Sequence, residues 1–261
     1  MALDEAIMLL LKSGKSRPAF RLYGWEPSAI TLGYSQRTAE VLDYEKCRMH
    51  GIDVTKRPTG GRAVLHHDEI AYSVTSDIDD PYFGGSIMDT YKSIGMVLCN
   101  ALKALGIDTD LNKSRHDQTG NRFHDHNSCF VSTARYELTY GGKKIIGSAQ
   151  RRFKNVFLQH GSILTGPGQE NIFDYFNDGN KPLNAINVIR QKSIHLKSIL
   201  GDSFSENKLR KALFESLKNT LGGNVTPAEP TYEELNLAQR LMNERYGSKE
   251  WVLGHEKRTH I

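Results

Sequence analysis

Residues 56–74 of the chain have the sequence KRPTGGRAVLHHDEIAYSV. A tight basic loop with Pro58 and the adjacent glycines Gly60 and Gly61 separates short β-prone runs in this segment. Glycine has no Cβ and tolerates positive φ, so such a backbone can approach a ligand closely. The segment therefore predicts a ligand-binding loop between strands. The residues alone also fit an ordinary hairpin turn with solvated charges.

The rest of the chain combines short strands with helices. Helical spacing of apolar residues predicts helices at residues 3–13, about 40–50, 87–105, about 205–221 and 231–246. Period-two alternation and flanking turn residues predict strands at residues 19–23, 29–34, 52–56, 63–66, 70–75, 136–140, 144–149 and 156–164. Residues 112–128 are polar and without period, which predicts a loop. Because strands come first and helices dominate after about residue 190, the pattern indicates an α+β fold and not a doubly wound parallel sheet.

Size and charge narrow the class of protein. The chain has 261 residues, with 34 Lys and Arg against 30 Asp and Glu, a formal net charge of +4. This size suits one large domain, or one domain with an appendage. The basic residues form no long run, which argues against nucleic-acid binding and is compatible with an acidic protein partner.

The start of the chain gives no sign of a membrane span or a secretory signal. The longest apolar run there, residues 7–11, is far shorter than the ~20 residues that a span needs. Asp4 and Glu5 stand where a signal peptide would carry basic residues. We therefore expect a cytoplasmic protein without a membrane partner.

The three cysteines are sparse, odd in number and without a C-x-x-C spacing, which argues against a disulfide framework and a structural zinc site. Cys47 and Cys99 fall on predicted helices and are expected to be inert packing residues. Cys129 lies outside the predicted helices. A reactive thiol needs partial exposure and a nearby cation, which Lys144 could supply. From these residues alone, packing in the core remains the alternative role for Cys129.

Histidines offer two further candidates. His160 and Gly161 interrupt the predicted strand FLQHGSIL, residues 157–164, so His160 could be a base or a hydrogen-bonded structural group. His116, His124 and His126 precede Cys129, and imidazole and thiolate are both zinc ligands. Their spacing matches no metal motif, so we expect no metal site.

Six segments of the chain, in the same order, resemble the lipoate–protein ligase and octanoyltransferase family. They are MALDEA (1–6), FRLYGWEPSAITLGYSQ (20–36), KRPTGGRAVLHHDEIAYSV (56–74), SCF (128–130), KIIGSAQRR (144–152) and FLQHGSIL (157–164). The resemblance implies a biotin/lipoyl ligase catalytic domain, similar to class II aminoacyl-tRNA synthetases, with a mixed, mainly antiparallel sheet flanked by helices. It places this domain at residues 1–190 and a packed C-terminal helical extension at residues 191–261. Family members generally carry a strand before the segment that matches residues 1–6, so we expect that strand to be missing and a sheet edge to be exposed.

Within the family, R-x-T-G-G-R-A-V-L-H with a later C-F pair is most similar to the cysteine-dependent octanoyltransferases that load the glycine cleavage H protein. The resemblance implies that Cys129 carries the acyl group as a thioester and that Lys144 favours its ionised form. ATP-dependent ligases usually show R-x-S-G-G-G-A-V, where this chain has Thr59 and Arg62. We therefore expect an octanoyltransferase without a cofactor. The alternatives are a lipoate–protein ligase that uses ATP and Mg²⁺, with Cys129 structural, and a non-catalytic binding module for carrier protein or lipoyl domain.

Carried over position by position, the resemblance assigns catalysis to Cys129 and Lys144. It assigns substrate binding to Arg57, Thr59, Gly60, Gly61, Arg62, Ala63, Val64, His66, Gly147, Ser148, Ala149, His160 and Gly161. Backbone N–H groups near Gly60–Gly61 or Gly147–Ser148 are the candidate oxyanion donors. Candidates for the apolar lining of an octanoyl tunnel are Val64, Leu65 and Ile146.

The resemblance also implies the partners. Acyl carrier protein would donate the octanoyl group, and a lipoyl domain or the glycine cleavage H protein would accept it. Both are expected to be acidic, and complementary charge is offered by Arg62, Arg151, Arg152 and Lys154. The acyl chain length, the preferred acceptor and the oligomeric state stay open at this point.

Overall fold

The computed structural model describes residues 1–111, 128, 130 and 137–253. Its α-helices are α1 (Ala2–Lys12), α2 (Thr38–Val41), α3 (Tyr44–Met49), α4 (Ile87–Ala104), α5 (Ala185–Lys192), α6 (Leu196–Leu200), α7 (Glu206–Thr220), α8 (Tyr232–Leu241) and α9 (Lys249–Leu253). Its strands are β1 (Ala19–Tyr23), β2 (Ala29–Leu32), β3 (Asp53–Lys56), β4 (Val64–His66), β5 (Glu69–Asp77), β6 (Asp110–Leu111), β7 (Leu138–Tyr140), β8 (Lys143–Phe153) and β9 (Val156–Leu164). Short 3₁₀ helices cover Pro167–Tyr175, Asp178–Asn180 and Gly201–Ser203, and Met242–Tyr246 forms a π-helical turn.

The larger sheet has six antiparallel strands in the order β1-β5-β9-β8-β7-β6. The long strands β5, β9 and β8 form its centre. Gly141 and Gly142 join β7 to β8 with φ angles of 56° and 77°. A two-residue hairpin turn of this kind needs positive φ, which glycine adopts without strain. The predicted fold class, α+β with a mainly antiparallel sheet, is confirmed.

The smaller sheet sets the position of the glycine loop, residues 57–63. Its central strand β2 pairs with β3 in parallel and with β4 in antiparallel orientation. The segment between Lys56 and Val64 therefore connects two strands that flank β2 and do not pair with each other. The hairpin alternative for this segment is wrong, because the loop crosses over the end of β2.

The main core lies between one face of the larger sheet and the helices α4 and α7. Successive strand residues point to opposite faces: Phe157 and Ile163 of β9 join the core with α4 and α7, whereas Leu158 packs against Met8 and Leu11 of α1. α4 begins at a capping box in which Ser86 and Asp89 satisfy each other's backbone N–H groups. The main core thus lies on one face of the larger sheet, and the cavity described below lies on the other face.

Most elements match their sequence-based predictions, with ends shifted by a few residues. The single helix predicted at about residues 40–50 is instead two short helices, α2 and α3. The elements that the sequence analysis missed are β6, α5, α6, α9 and the 3₁₀ helices. Each is too short to show a hydrophobic period. The predicted loop at residues 112–128 lies outside the described residues, Ser128 excepted.

The C-terminal helices contact the sheet domain at several places. Leu209, Leu213 and Leu217 of α7 belong to the same core as α4, and Glu234 at the start of α8 accepts a hydrogen bond from Ser16, just after α1. The proposed boundary between residues 190 and 191 remains a prediction. No helix in the described part of the chain is both long and apolar enough to cross a membrane.

Replacement of Leu213 by alanine tests this packing. Leu213 is fully buried, whereas Leu235 of α8 is 50% exposed. Leu213→Ala should lower the free energy of unfolding by about 2–5 kcal/mol because it leaves a cavity. Leu235→Ala, the matched control, should change it by less than about 0.5 kcal/mol. Urea unfolding followed by circular dichroism measures both, and equal losses would contradict the packing of α7.

Candidate active site

A cavity lies against the centre of the larger sheet, beside the glycine loop. The space in it that is open to a water-sized molecule is about 30 Å³, and the surrounding empty space, which includes open solvent, is about 400 Å³. Its lining residues come from the start of α1, from β1, β4, β5, β8 and β9, and from the segments around residues 57 and 130. They are Met1, Tyr23, Arg57, Val64, His66, Ala71, Phe130, Gly147, Ser148, Ala149, His160, Gly161 and Ser162.

Two glycines allow β8 and β9 to approach each other at this cavity. Ser148 of β8 pairs with Gly161 of β9. A Cβ on Gly161 would collide with the carbonyl oxygen of Gly147 and with the ring of Tyr72. A Cβ on Gly147 would press against Phe130 and the Cε atom of Lys144. The close contact of these groups depends on glycine at both positions.

Lys144 lies fully buried beside the cavity. Its Nζ atom is 2.5 Å from Oε1 of Glu137, and the side chains of the two residues are 1% and 3% exposed. The same Nζ lies 5.0 Å from the centroid of the Phe130 ring. A buried ammonium is stable only with a counter-charge and hydrogen bonds, and Glu137 supplies both. Sequence reasoning singled out Lys144 and missed Glu137.

Cys129 lies outside the described residues, as do His116, His124 and His126. Its neighbours in sequence are described. Ser128 forms a parallel β-bridge with Ala63, and Phe130 packs with Val64 and Leu164 and lines the cavity. The described residues contain no group of three His, Cys, Asp or Glu side chains that could hold a metal ion.

The other two cysteines occupy packing positions, as predicted. Cys47 is fully buried in the cluster around the smaller sheet. Burial, together with the nearby charge of Asp43, raises the pKa of its thiol to about 11. Cys99 lies on α4 with its Sγ 3.0 Å from Oγ1 of Thr109.

Arg57 stabilises the glycine loop through hydrogen bonds to its backbone. Its side chain is buried, and its guanidinium donates to the carbonyl oxygens of Thr31 at 2.8 Å, Gly60 at 3.1 Å and Arg62 at 2.8 Å. It also donates to the hydroxyl of Thr31. These contacts hold the loop in one shape next to the cavity. Direct contact of Arg57 with a substrate stays a prediction.

His160 and Thr59 join the loop to the sheet. The Oγ1 atom of Thr59 lies 2.6 Å from Nε2 of His160, and both residues are buried. The Nδ1 atom of His160 is buried and has no hydrogen-bond partner within the described part of the chain. Burial lowers the pKa of His160 to about 3, more than the charge of Asp4 raises it. His160 is therefore a neutral imidazole at physiological pH, suited to orient a ligand rather than to carry a charge.

His66 has partners at both ring nitrogens. Nε2 lies 2.7 Å from Oγ1 of Thr31, and Nδ1 lies 2.7 Å from Oε1 of Glu69. The indole of Trp25 stacks on the imidazole, with ring centroids 4.2 Å apart. The imidazole is thus held rigidly as part of the cavity wall.

A buried carboxylate that sequence reasoning missed ties α1 to this wall. Asp4 accepts hydrogen bonds from Arg21, from Tyr23 at 2.9 Å and from Ser73 at 2.6 Å. Burial alone would raise the pKa of Asp4, but nearby positive charge, including Arg21, and the Ser73 hydroxyl lower it to about 2. The group is ionised and serves as an anchor. It could be suspected from its place on the buried face of an amphipathic helix.

The predicted substrate-binding residues divide into several groups. Those that line the cavity are Arg57, Val64, His66, Gly147, Ser148, Ala149, His160 and Gly161. Thr59 does not line the cavity but contacts the lining residue His160. Ala63 is buried in the cluster around the smaller sheet. Gly60 and Gly61 are exposed on the loop, and Arg62 is partly exposed.

Two of the residues predicted to line an octanoyl tunnel, Leu65 and Ile146, do not line this cavity. Leu65 and Ile146 neighbour cavity residues in sequence, but strand alternation turns each to the opposite face. Leu65 packs in the cluster around the smaller sheet, and Ile146 packs in the main core. The apolar lining comes from Val64, Ala71 and Phe130 instead.

Comparison with known proteins identifies the family. The family model for the lipoyl protein ligase A/B catalytic domain matches residues 1–218. The chain therefore belongs to the lipoyl protein ligase A/B family. Curated relatives include octanoyltransferase LipM of Kyrpidia tusciae, 36% identical over 96% of this chain and 92% of the relative, and octanoyltransferase LipM of Bacillus subtilis, 31% identical over 96% and 92%.

Solved structures support the same fold. A lipoate–protein ligase A bound with ATP superposes with a TM-score of 0.78 at 24% identity, covering 97% of this chain and 92% of that one. A bipartite lipoate protein ligase from Thermoplasma acidophilum gives 0.78 at 22% identity, covering 100% and 92%. At these identities the likeness concerns the fold alone.

The neutral state of His160 can be tested through the pH dependence of stability. Its pKa is about 3 in the folded chain against the ordinary 6.5, so only the unfolded chain gains this proton between the two values. Above pH 6.5 the group has no effect, and below it stability falls with pH, by about 2 kcal/mol at pH 5. In His160→Asn the free energy of unfolding should fall less steeply between pH 6.5 and 4. Equal slopes in urea titrations at several pH values would contradict a buried neutral imidazole.

Proposed function

We propose that this enzyme transfers an octanoyl group from octanoyl carrier protein to a lysine of a lipoyl domain, through a thioester on Cys129. The observation that carries the activity is the match to curated octanoyltransferases, 31–36% identical over nearly the whole chain. Octanoyl transfer in lipoate biosynthesis is thereby better supported than lipoate ligation. The details of donor, acceptor and nucleophile are our proposal.

The first step exchanges one thioester for another. The thiolate of Cys129 attacks the carbonyl carbon of the octanoyl thioester, and a new C–S bond forms as the bond to the carrier breaks. The carrier thiolate leaves and takes up a proton. The ammonium of Lys144 favours the ionised sulfur by electrostatic attraction. The buried Lys144 beside Phe130, the neighbour of Cys129 in sequence, supports this role.

The second step forms an amide. The neutral amine of the acceptor lysine attacks the Cys129 thioester, a C–N bond forms, and the C–S bond breaks. The cysteine leaves as thiolate, and the proton of the attacking amine passes to solvent. This step goes forward because an amide is more stable than a thioester.

The cavity supports both steps. Both pass through a tetrahedral oxyanion, which needs preorganised donors. Gly147 and Ser148 line the cavity whereas Gly60 and Gly61 are exposed on the loop, so we favour backbone N–H groups at Gly147–Ser148 over the glycine loop. Burial of about six methylenes of the octanoyl chain would contribute roughly 5 kcal/mol.

No cofactor is needed on this route, because the thioester donor is already activated. In the ligase alternative, ATP and Mg²⁺ would activate a free acid. Arg62 stands where the usual ligase pattern has a third glycine, and its side chain would occupy space that a glycine leaves open. We therefore propose that the protein acts without ATP.

Intact-protein mass spectrometry tests the proposed nucleophile. The wild type, mixed with octanoyl carrier protein without ATP, should gain one octanoyl group that hydroxylamine removes. Cys129→Ala should gain none because it lacks the nucleophile. Cys99→Ala, the matched control on α4, should gain the group like the wild type. Two results would instead indicate a lipoate–protein ligase. One is modification of a lipoyl domain by Cys129→Ala, and the other is modification by the wild type only when ATP and free acid are present.

Basic residues on the glycine loop and at the end of β8 predict a salt effect on partner association. Arg151 donates to the carbonyl oxygen of Pro58, and Arg152 donates to Gln150 and Thr90, so both are held in place rather than free in solvent. Together with Arg62 and Lys154 they supply positive charge that suits acidic partners. The transfer rate at low carrier concentration should fall several-fold between low and high salt, with little change at saturation. A rate independent of salt would contradict the steering.

A further inference from the structure

Lys144 forms a buried ion pair with Glu137, and the catalytic role proposed for Lys144 does not by itself explain this partner. Glu137 precedes β7, and its carboxylate is as deeply buried as the ammonium that it contacts at 2.5 Å. We infer that Glu137 is a positioning residue: it keeps Lys144 a fixed cation at the site, so that Lys144 acts by its charge and not as a proton acceptor. This inference rests on the proposed function, because the charge matters only if Cys129 is the nucleophile.

Glu137 can have this role because the ammonium of Lys144 is buried. An ammonium without a counter-charge in a dry interior is disfavoured relative to the neutral amine and gives up its proton near neutral pH. Lys144 is fully buried, and the aromatic face of Phe130 offers a cation only a weaker partner than a carboxylate does. The carboxylate of Glu137 thus holds the proton on Nζ and fixes the position of that atom.

Two ionisable groups on the neighbouring strands of the described structure are uncharged at neutral pH. On β5, Tyr72 lies in the main core; burial raises the pKa of Tyr72 to about 12, with a smaller contribution from the charge of Glu137 itself, so the phenol is uncharged. On β9, His160 has a pKa of about 3 and is also uncharged at neutral pH. Next to the end of α5, the backbone of Lys144 forms a β-bridge with Ser193 and accepts a hydrogen bond from the N–H of Ile194.

The two roles of lysine make different predictions for the cysteine. If Glu137 keeps Lys144 charged, removal of the carboxylate leaves a neutral amine, and the thiolate of Cys129 loses its electrostatic support. The thiolate then forms only at higher pH. If Glu137 merely fills space and stabilises the fold, its replacement changes stability and leaves the ionisation of the cysteine as it was.

The experiment measures alkylation of Cys129 by iodoacetamide as a function of pH, with the modified site located by mass spectrometry. The variants are Glu137→Gln, which keeps the size and removes the charge, and Glu137→Asp, which keeps the charge and shortens the side chain. Glu215→Gln, at an exposed position of α7, is the matched control. Octanoyl transfer is followed in parallel as separate kcat and KM values.

In Glu137→Gln, half-maximal alkylation should move to a pH at least one unit higher, with at least a tenfold lower kcat and little change in KM. Glu137→Asp should restore most of the pH profile, and Glu215→Gln should match the wild type. An unchanged profile in folded Glu137→Gln, or a shift to lower pH, would overturn the inference. Because alkylation needs no substrate, a wild type that forms no octanoyl thioester would disprove the proposed function separately.

Discussion

The antiparallel register of β8 with β9 is the constraint on which the rest of the site depends. It sets Ser148 opposite Gly161, at a place where a single Cβ on either Gly147 or Gly161 would strike a neighbour. The close approach lets Phe130 and Lys144 pack over the strands, and it leaves a cavity bounded by the glycine loop. The core side of the same strands, packed on α4 and α7, fixes this register because a slip of one residue would exchange the two faces.

The electrostatics of the site follow from burial on the cavity face. Each buried charge there has a partner: Asp4 has Arg21, Tyr23 and Ser73, and Lys144 has Glu137. The one titratable side chain on β9, His160, is neutral because burial disfavours its protonated form. The described part of the site therefore holds two buried cations, Arg57 and Lys144, and a neutral imidazole, His160. That combination suits the stabilisation of an anionic sulfur better than the transfer of protons.

Sequence pattern predicted the long elements and the centre of the site. α1, α4, α7, β5 and β9 carry enough residues to show their period, and the paired glycines of the loop mark a special backbone. Asp4 and Glu137 were missed because a carboxylate on a helix or before a strand looks like any solvated charge until its partner is known. Leu65 and Ile146 were misplaced because neighbours along a strand point to opposite faces, and one residue of error reverses the assignment.

The most direct test of the account is a chase of the isolated octanoyl-enzyme. Purified enzyme loaded with one octanoyl group is mixed with a lipoyl domain without ATP, and both proteins are weighed by mass spectrometry over time. The account predicts that the octanoyl group leaves the enzyme at the rate at which it appears on the domain. An octanoyl-enzyme that persists beside an unmodified domain, with modification only after ATP and free octanoate are added, would contradict it.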